Sequence, residues 1–276
     1  MPIKNRFADL QNEMVSWRHD FHEYPELQFD LPRTTKKITE LLKGFGVDSI
    51  KREVGKSGIV AEIYGQKIDS GKAIGFRADM DALPIHEDSK LSFRSLNDGV
   101  MHACGHDGHM AILLGVAQAL SKNTKLKKGT VRFIFQPAEE GLGGARYMIK
   151  DGCLKGVDEI YGLHLWNYQR YGEVGVKTGP VMASADLFDI EVMGKGGHGA
   201  TPQGTVDPIV VASNLITQLQ TIVSRNTNPL ESTVISIGKI NGGHNFNVIS
   251  DHVTMSGTTR SSVSYTHLTL PTKRIV

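Results

Sequence analysis

The chain has 276 residues, of which 39% are hydrophobic and 22% charged, so it is long enough to bury a substantial core. Lys and Arg total 31 against 29 for Asp and Glu, and this balance argues against a nucleic-acid partner, which would need a clustered basic surface. No stretch approaches the ~20 apolar residues of a membrane span. Because it has a polar N-terminus and only two cysteines, Cys104 and Cys153, we expect a cytoplasmic protein without a disulfide scaffold.

The first two thirds of the chain predict alternating helices and strands. Apolar residues from Phe7 to Phe21 recur every three or four positions, which predicts an amphipathic helix that ends before Pro25. Further helices are predicted over 33–43, 108–121 and 145–150, and short buried strands over 59–63, 73–76, 131–135 and 159–163. This alternation predicts a layered α/β domain with a mainly parallel central sheet.

The pattern changes after about Met182. A strand is predicted over 187–192, a long helix over 207–225, and strands over 233–237 and 253–257, as in a smaller α+β domain. We therefore predict one domain over residues 1–182 and a second over 183–262. The tail SYTHLTLPTKRIV continues neither pattern and reads like a translated cloning adaptor, so residues 263–276 are expected to be non-native and His267 is given no role.

A cluster of potential metal ligands occupies Met101–His109. Within this segment, MHACGHDGH, five side chains could bind a metal: His102, Cys104, His106, Asp107 and His109. In an extended segment residues two apart point the same way, so Cys104 and His106 are expected to face one centre. Thiolate and imidazole together suit zinc, manganese or a similar divalent ion. A loop with a buried cysteine and solvated histidines is the alternative.

Three further motifs follow predicted strands. FQPAEEGLGG carries Glu139 and Glu140, which cannot share one face of an extended chain, so one is expected to bind metal and the other to accept a proton. An exposed acidic pair at a helix N-terminus is the alternative. GLH ends in His164, and RADMDALPI supplies Asp79 and Asp81 as ligand, orienting residue or electrostatic partner.

Taken in order, RADMDALPI, MHACGHDGH, FQPAEEG and GLH resemble the metal-dependent amidohydrolases that include bacterial hippurate hydrolases, N-acetyldiaminopimelate deacetylases and plant auxin-conjugate hydrolases. The resemblance extends from about Leu10 to Ser261. It implies that an α/β catalytic domain is interrupted by a smaller lid domain, through which two copies form a homodimer. It also implies a site with two divalent ions, manganese or zinc, with cobalt or nickel as alternatives.

The resemblance also implies roles for individual residues. The implied metal ligands are Cys104, His106, Glu140 and His164. Glu139 is the implied general base, and Asp81 orients a ligand, with Asp79 as a rival for that role. In the second domain, His198 of GKGGHGATP is implied to stabilise the oxyanion in the partner's site, while Asn247 and Arg260 bind the substrate carboxylate. Ser250 departs from the proline that is usual in the family.

The implied function is hydrolysis of the amide bond of an N-acyl or N-aroyl amino acid, a small-molecule substrate. A dipeptidase or carboxypeptidase-type activity is an alternative, because the walls of the pocket decide the substrate. A second alternative is a fragment that only binds metal or dimerises, since the family continues past the end of this chain and supplies a further histidine ligand there. A hydrolase with Cys104 as nucleophile is a third, but it leaves the paired glutamates unexplained.

Overall fold

A computed structural model describes residues 5–67, 71–123, 126–179 and 181–261. They form two compact units, one within residues 1–170 and the other within 171–276. The domain boundary near Met182 stays a prediction, and the expectation for the tail 263–276 lies outside the described residues. No helix in the described ranges is long and apolar enough to cross a membrane.

The first unit is a five-stranded sheet with helices packed against it. Its elements are α1 Asn5–Glu23, α2 Pro32–Phe45, β1 Ser49–Val54, β2 Gly58–Tyr64, β3 Ala73–Asp79, α3 His106–Asn123, β4 Thr130–Gln136, α4 Gly144–Lys150 and β5 Glu159–Gly162. The strand order is β1-β2-β4-β3-β5. Strand β3 runs parallel to β4 and β5, whereas β2 is antiparallel to β1 and β4. The predicted α/β class is confirmed, and the sheet is mixed.

Both faces of this sheet are covered, which explains why its central strands read as continuous apolar runs. Alternate residues of β4 point to opposite faces: Phe133 and Phe135 join the larger core under α1, α2 and α3, and Ile134 joins the smaller core with Met148 of α4. Cys153 lies in that smaller core, in line with a structural role for this cysteine.

The second unit is an antiparallel sheet with one helix against it. Its elements are β6 Ser184–Met193, β7 Gly197–His198, α5 Pro208–Thr221, β8 Thr233–Gly242, β9 Val248–Ile249 and β10 His252–Ser261. Strands β6, β10 and β8 form the main sheet, and β7 pairs with β9. Ala212 of α5 packs against Val253 and Met255 of β10. The α+β arrangement agrees with the sequence, while a role for this unit as a lid stays a prediction.

Candidate metal centre

The parallel strands of the first unit end side by side. Strand β3 ends at Asp79 opposite Gln136 of β4, and Gly162 of β5 pairs with Arg77 of β3. The segments that carry Asp81, the paired glutamates and His164 therefore leave the same edge of the sheet, where ligand groups gather in open α/β folds.

The cysteine-containing motif reaches this edge in a different conformation from the one predicted. Cys104 lies in a turn, and Gly105 has a φ of +85°, which favours glycine, before α3 begins at His106. The extended conformation predicted for this segment was therefore wrong, because Cys104 lies in a turn and the helix starts two residues earlier than expected. The turn still brings the two side chains together: the ligand atoms of Cys104, His106 and His164 lie within 4.8 Å of one another.

The buried ring of His106 presents a lone pair to the centre. Its Nδ1 lies 2.7 Å from the main-chain oxygen of Asp81, and a carbonyl oxygen only accepts, so the hydrogen-bond network assigns the proton to Nδ1. In the neutral ring Nε2 is then an unprotonated nitrogen. It faces carboxylate oxygens of Asp79 at 3.6 Å, Glu140 at 3.7 Å and Glu139 at 3.9 Å.

This arrangement fits a cation. Among the described residues, neither His106 Nε2 nor Glu140 Oε1 has a hydrogen-bond partner, although both atoms are buried. The nitrogen lone pair of His106 and the carboxylates of Glu139 and Glu140 that face it repel one another unless a positive ion lies between them. A mixed set of sulfur, nitrogen and oxygen donors suits a divalent transition metal.

His164 and Cys104 complete the convergence. The His164 Nδ1 lies 2.6 Å from the carbonyl oxygen of Leu165, to which it donates, so its Nε2 lone pair faces Cys104 Sγ at 3.4 Å. Burial, then a side-chain hydrogen bond to Glu140 and the charges of Glu140 and Glu139, raises the pKa of Cys104 to about 12. Without a cation the thiol therefore keeps its proton, which argues against Cys104 as a nucleophile. The Trp166 ring stands edge-on to His164, with 5.3 Å between ring centroids.

Asp81 contacts both glutamates through their main chain. Its two buried carboxylate oxygens accept from the amides of Glu139 at 2.9 Å and Glu140 at 3.1 Å, and its carbonyl oxygen binds His106. Burial raises the pKa of Asp81, although the two amide hydrogen bonds act in the opposite direction. Asp81 thus orients three residues that the motifs single out.

Asp79, the alternative to Asp81 for orienting a metal ligand, lies nearer the potential metal-binding atoms. Its hydrogen-bond and ion-pair partners differ from those of Asp81. It accepts from His109 Nδ1 at 2.6 Å and pairs with Arg77 at 2.7 Å. Burial alone would raise its pKa, but the His109 hydrogen bond and the charges of His106 and Arg77 hold the pKa of Asp79 below its ordinary value. His109 also accepts from the Leu165 amide at 2.8 Å. Both ring nitrogens of His109 are thus occupied, and its lone pair is not available to a metal.

Glu139 and Glu140 differ in exposure. The side chain of Glu139 is 43% exposed and that of Glu140 20%. Burial, then the negative charges of Glu140 and Asp79, raises the pKa of Glu139. A half-exposed carboxylate with a raised pKa can reach solvent and take up a proton.

The remaining members of the cysteine motif point elsewhere. Asp107 pairs with His22 at 2.9 Å and Arg18 at 3.1 Å in a separate buried cluster. His102 is buried, and burial lowers its pKa to about 4. Sequence reasoning missed His22, and also Gln28, which donates to the carbonyl oxygen of Glu140. These contacts join residues 85 and 112 positions apart, and no local spacing could indicate them.

In the second unit, His198 and Asn247 are neighbours. His198 pairs with Val248 between β7 and β9, and the Asn247 carbonyl oxygen accepts from the Gly199 amide at 2.8 Å. His198 Nδ1 accepts from the Ala200 amide at 3.1 Å, which leaves Nε2–H exposed as a donor. Arg260 lies on β10 and donates to Thr258 and to the carbonyl oxygen of Thr259 on its own strand.

Comparison with known proteins identifies the family. Residues 75–268 match Peptidase family M20/M25/M40. The chain belongs to this family. Together with the ligand groups above, membership supports a centre for divalent metal ions, and the resemblance read from the motifs is confirmed.

Individual M20 relatives support the same assignment. The chain is 48% identical to N-acetyl-L-cysteine deacetylase of Bacillus subtilis over 92% of this chain and 60% of that protein. It is 46% identical to hippurate hydrolase of Campylobacter jejuni over 95% of this chain and 67% of that protein. A crystal structure of a Bacillus subtilis protein described as a dinuclear metal-binding peptidase from the M20 family superposes with a TM-score of 0.76 and 41% identity, covering 93% of this chain and 66% of that one. The chain thus spans less than two thirds of the length of the deacetylase.

Proposed function

We propose that this M20 chain hydrolyses the amide bond of N-acyl and N-aroyl amino acids. The observation that carries the proposal is the convergence of His106 Nε2 and Glu140 Oε1 beside Cys104 and His164. Both atoms could bind a metal ion, and neither has a hydrogen-bond partner within the described part of the chain. Two relatives are named for N-acetylcysteine and hippurate, both of which are N-acylated amino acids.

The metal centre is proposed to hold two divalent ions, manganese or zinc. The proposed ligands are Cys104, His106, Glu140 and His164, whose thiol and imidazole groups favour such ions over magnesium or calcium. When bound, the ions supply Lewis acidity that polarises an amide carbonyl and lowers the pKa of water.

Glu139 is proposed to move the proton. One oxygen of its carboxylate takes a proton from the attacking water and then delivers it to the nitrogen of the breaking amide bond, which leaves as the free amino group. The water oxygen becomes part of the new carboxylic acid, so the reaction needs no other reactant. The raised pKa of Glu139 makes its carboxylate a better proton acceptor.

Residues of the second unit are proposed to bind the rest of the substrate. His198 offers an exposed Nε2–H, a donor suited to the oxyanion that develops from the amide carbonyl. Asn247 and Arg260 are proposed to bind the substrate carboxylate, for which the planar guanidinium of arginine is well shaped. A homodimer in which His198 serves the partner's centre belongs to the same proposal.

The proposal is tested with the wild-type chain and the variant Glu139→Gln. Wild type should release amino acid from N-acetylcysteine or hippurate when manganese or zinc is present, and chelation should stop the release. Glu139→Gln should lower kcat by about 100- to 10,000-fold, because the proton carrier is lost. Manganese binding, measured by calorimetry, should be retained.

Three outcomes would count against this function. Undiminished kcat in Glu139→Gln would remove the proposed base. Turnover that persists in a chelator would remove the metal centre. Release of an amino acid from dipeptides, but not from any N-acyl amino acid, would favour the peptidase alternative.

A further inference from the structure

The turn between α1 and α2 carries no motif and has no part in the proposed chemistry. The amide of Asp30 donates to the Leu27 carbonyl oxygen at 2.9 Å and closes the turn. Inside it, Gln28 has a φ of +53°, in the left-handed region that residues other than glycine, asparagine and aspartate seldom adopt. Such a conformation persists where surrounding contacts impose it, and it is often found next to functional sites.

Within the described residues, the hydrogen bonds of Gln28 lead to residues 138–142, the glutamate loop. Gln28 Nε2 donates to the carbonyl oxygen of Glu140 at 2.8 Å, and Gln28 Oε1 accepts from the amide of Leu142 at 3.3 Å. The Gln28 carbonyl oxygen accepts from the amide of Ala138 at 3.0 Å. Ala138 itself has a φ of +50°. Three hydrogen bonds thus join the glutamate loop to Gln28, which lies 112 positions before Glu140.

The same turn also contacts the segment of Asp81. The amide of Ala82 donates to the carbonyl oxygen of Glu26 at 2.8 Å. Asp81 in turn binds the amides of Glu139 and Glu140. The glutamate loop is therefore held from both sides, through its amides by Asp81 and through the carbonyl oxygen of Glu140 by the turn.

We propose that Gln28 is a positioning residue that holds the glutamate loop in the orientation that binds the metal. This inference rests on the proposed function, in which Glu140 is a ligand. Asp81 accepts from the amides of Glu139 and Glu140, and among the described hydrogen bonds none joins it to the peptide that follows Glu140. The Gln28 amide binds the carbonyl oxygen of that peptide and the amide of Leu142 beyond it. If the loop adopts its metal-binding geometry for only a fraction of the time, the apparent affinity for the ion is reduced by that fraction.

The variant Gln28→Gly tests the proposal. Glycine adopts a positive φ freely, so the turn keeps its backbone conformation while both side-chain hydrogen bonds are lost. The dissociation constant of the 276-residue chain for Mn²⁺ should rise about tenfold, as expected for the loss of one or two hydrogen bonds. The melting temperature of the metal-free chain should change little, because glycine relieves the strained φ of +53° and this gain offsets the two lost hydrogen bonds. A role in stability alone would instead lower the melting temperature.

Glu53→Gly is the matched control. Glu53 is exposed in β1 and has a φ of +59°, so the variant relieves the same kind of backbone strain without touching the glutamate loop. Its Mn²⁺ affinity should equal that of wild type. An equal loss of affinity in Glu53→Gly and Gln28→Gly would overturn the proposal.

Hydrogen exchange in the metal-free chain gives a second, independent measurement. The Leu142 amide should exchange about tenfold faster in Gln28→Gly than in wild type, because its acceptor is gone. Unchanged exchange overturns the proposal, and so does faster exchange with unchanged Mn²⁺ affinity. If wild type itself binds no Mn²⁺, the proposed function fails, and exchange at Leu142 alone then decides whether Gln28 holds the loop.

Discussion

At the scale of single residues, Asp81 offers both carboxylate oxygens to consecutive amides. In Asp81→Asn one of those oxygens becomes an NH2 group, so the amide of Glu139 or Glu140 loses its acceptor. A buried donor without a partner costs about 1–3 kcal/mol, and we expect the free energy of unfolding to fall by that amount and Mn²⁺ to bind more weakly. Urea denaturation and calorimetry measure the two effects.

The control for Asp81→Asn is Asp98→Asn. The side chain of Asp98 is 93% exposed and pairs only at the surface, with His86, so the same chemical change should alter stability by less than about 1 kcal/mol and leave metal binding unaltered. Wild-type stability in Asp81→Asn would show that its amide contacts contribute nothing measurable.

His22 is a second residue whose charge follows from its partners. Its Nδ1 lies 2.9 Å from Asp107 and its Nε2 3.3 Å from Glu87, and both carboxylates accept hydrogen bonds. Both nitrogens must then donate, so the buried ring is a cation. The hydrogen bond to Asp107 raises the pKa of His22 most, burial opposes it, and Glu87 adds to the rise.

The raised pKa of His22 predicts a pH dependence of stability with a definite sign. Because the folded pKa exceeds the unfolded value of about 6.5, the stabilisation is complete below that pH and is lost as the pH rises through the folded pKa. His22→Gln should destabilise by up to about 3–5 kcal/mol near pH 6, since buried Glu87 loses its cation and Asp107 keeps Arg18 but loses the His22 charge. Urea denaturation from about pH 6 to pH 9 should show this difference shrinking. A difference that grows with pH would contradict the assignment.

The sequence motifs predicted which residues would meet at the centre better than how they would meet. Cys104, His106 and His164 converge as expected, because the segments that carry them meet at the edge where the parallel strands of the sheet end. The direction of Cys104 was argued from an extended chain, whereas the turn at Gly105 sets it. The roles of these residues as ligands stay predictions. Gln28 could not be found, since a hydrogen bond between distant residues leaves no local pattern.

At the scale of elements, the start of α4 depends on a glycine. A Cβ at Gly144 would lie 1.8 Å from the carbonyl oxygen of Pro137, so no side chain fits there. Gly144→Ala should displace the glutamate loop, lower the free energy of unfolding by about 2 kcal/mol or more, and weaken Mn²⁺ binding. Urea denaturation and metal titration check both effects.

Gly44→Ala is the matched control for Gly144→Ala. Gly44 lies in α2, and a Cβ there would have no atom of the described structure within 4 Å. Alanine should therefore stabilise the helix by about 0.5–1 kcal/mol. Equal effects of the two substitutions would mean that the close approach to Pro137 is easily relieved.

Among the elements, those with clear periodicity were predicted and those without it were not. The helix before Pro25 ends at Glu23, and α2 ends before Gly46, whose φ of +76° is typical of a glycine cap. Strand β1 was missed because SIKREV is polar and only Val54 is buried, as suits the edge of a sheet. The antiparallel pairing of β2 was also missed, since strand direction depends on contacts that are distant in sequence.

At the scale of the whole molecule, metal binding should be coupled to stability. An ion that binds only the folded chain stabilises it by about 2.7 kcal/mol when present at 100 times its dissociation constant. Mn²⁺ should therefore raise the melting temperature, and a chelator should reverse the rise. Mg²⁺ should have a smaller effect, because thiol and imidazole donors suit it poorly. Identical melting curves with and without Mn²⁺ would argue against the centre.

The family and the presence of two compact units could be predicted from the order of the motifs and the change of pattern along the chain. The boundary near Met182, the homodimer and the cytoplasmic location stay predictions. A dimer depends on surface complementarity between copies, and a location depends on the cell, so neither is fixed by the spacing of residues such as Cys104 and His198.

The contact between Trp166 and His164 has an optical consequence. The chain has two tryptophans; Trp17 is buried and packs against Phe45, whereas the indole of Trp166 is 48% exposed beside the centre. A paramagnetic ion held at His164 quenches indole fluorescence at such short range, whereas closed-shell zinc does not quench in this way. The emission of Trp166 therefore distinguishes manganese from zinc loading without any substrate, and the shielded Trp17 provides a constant background signal.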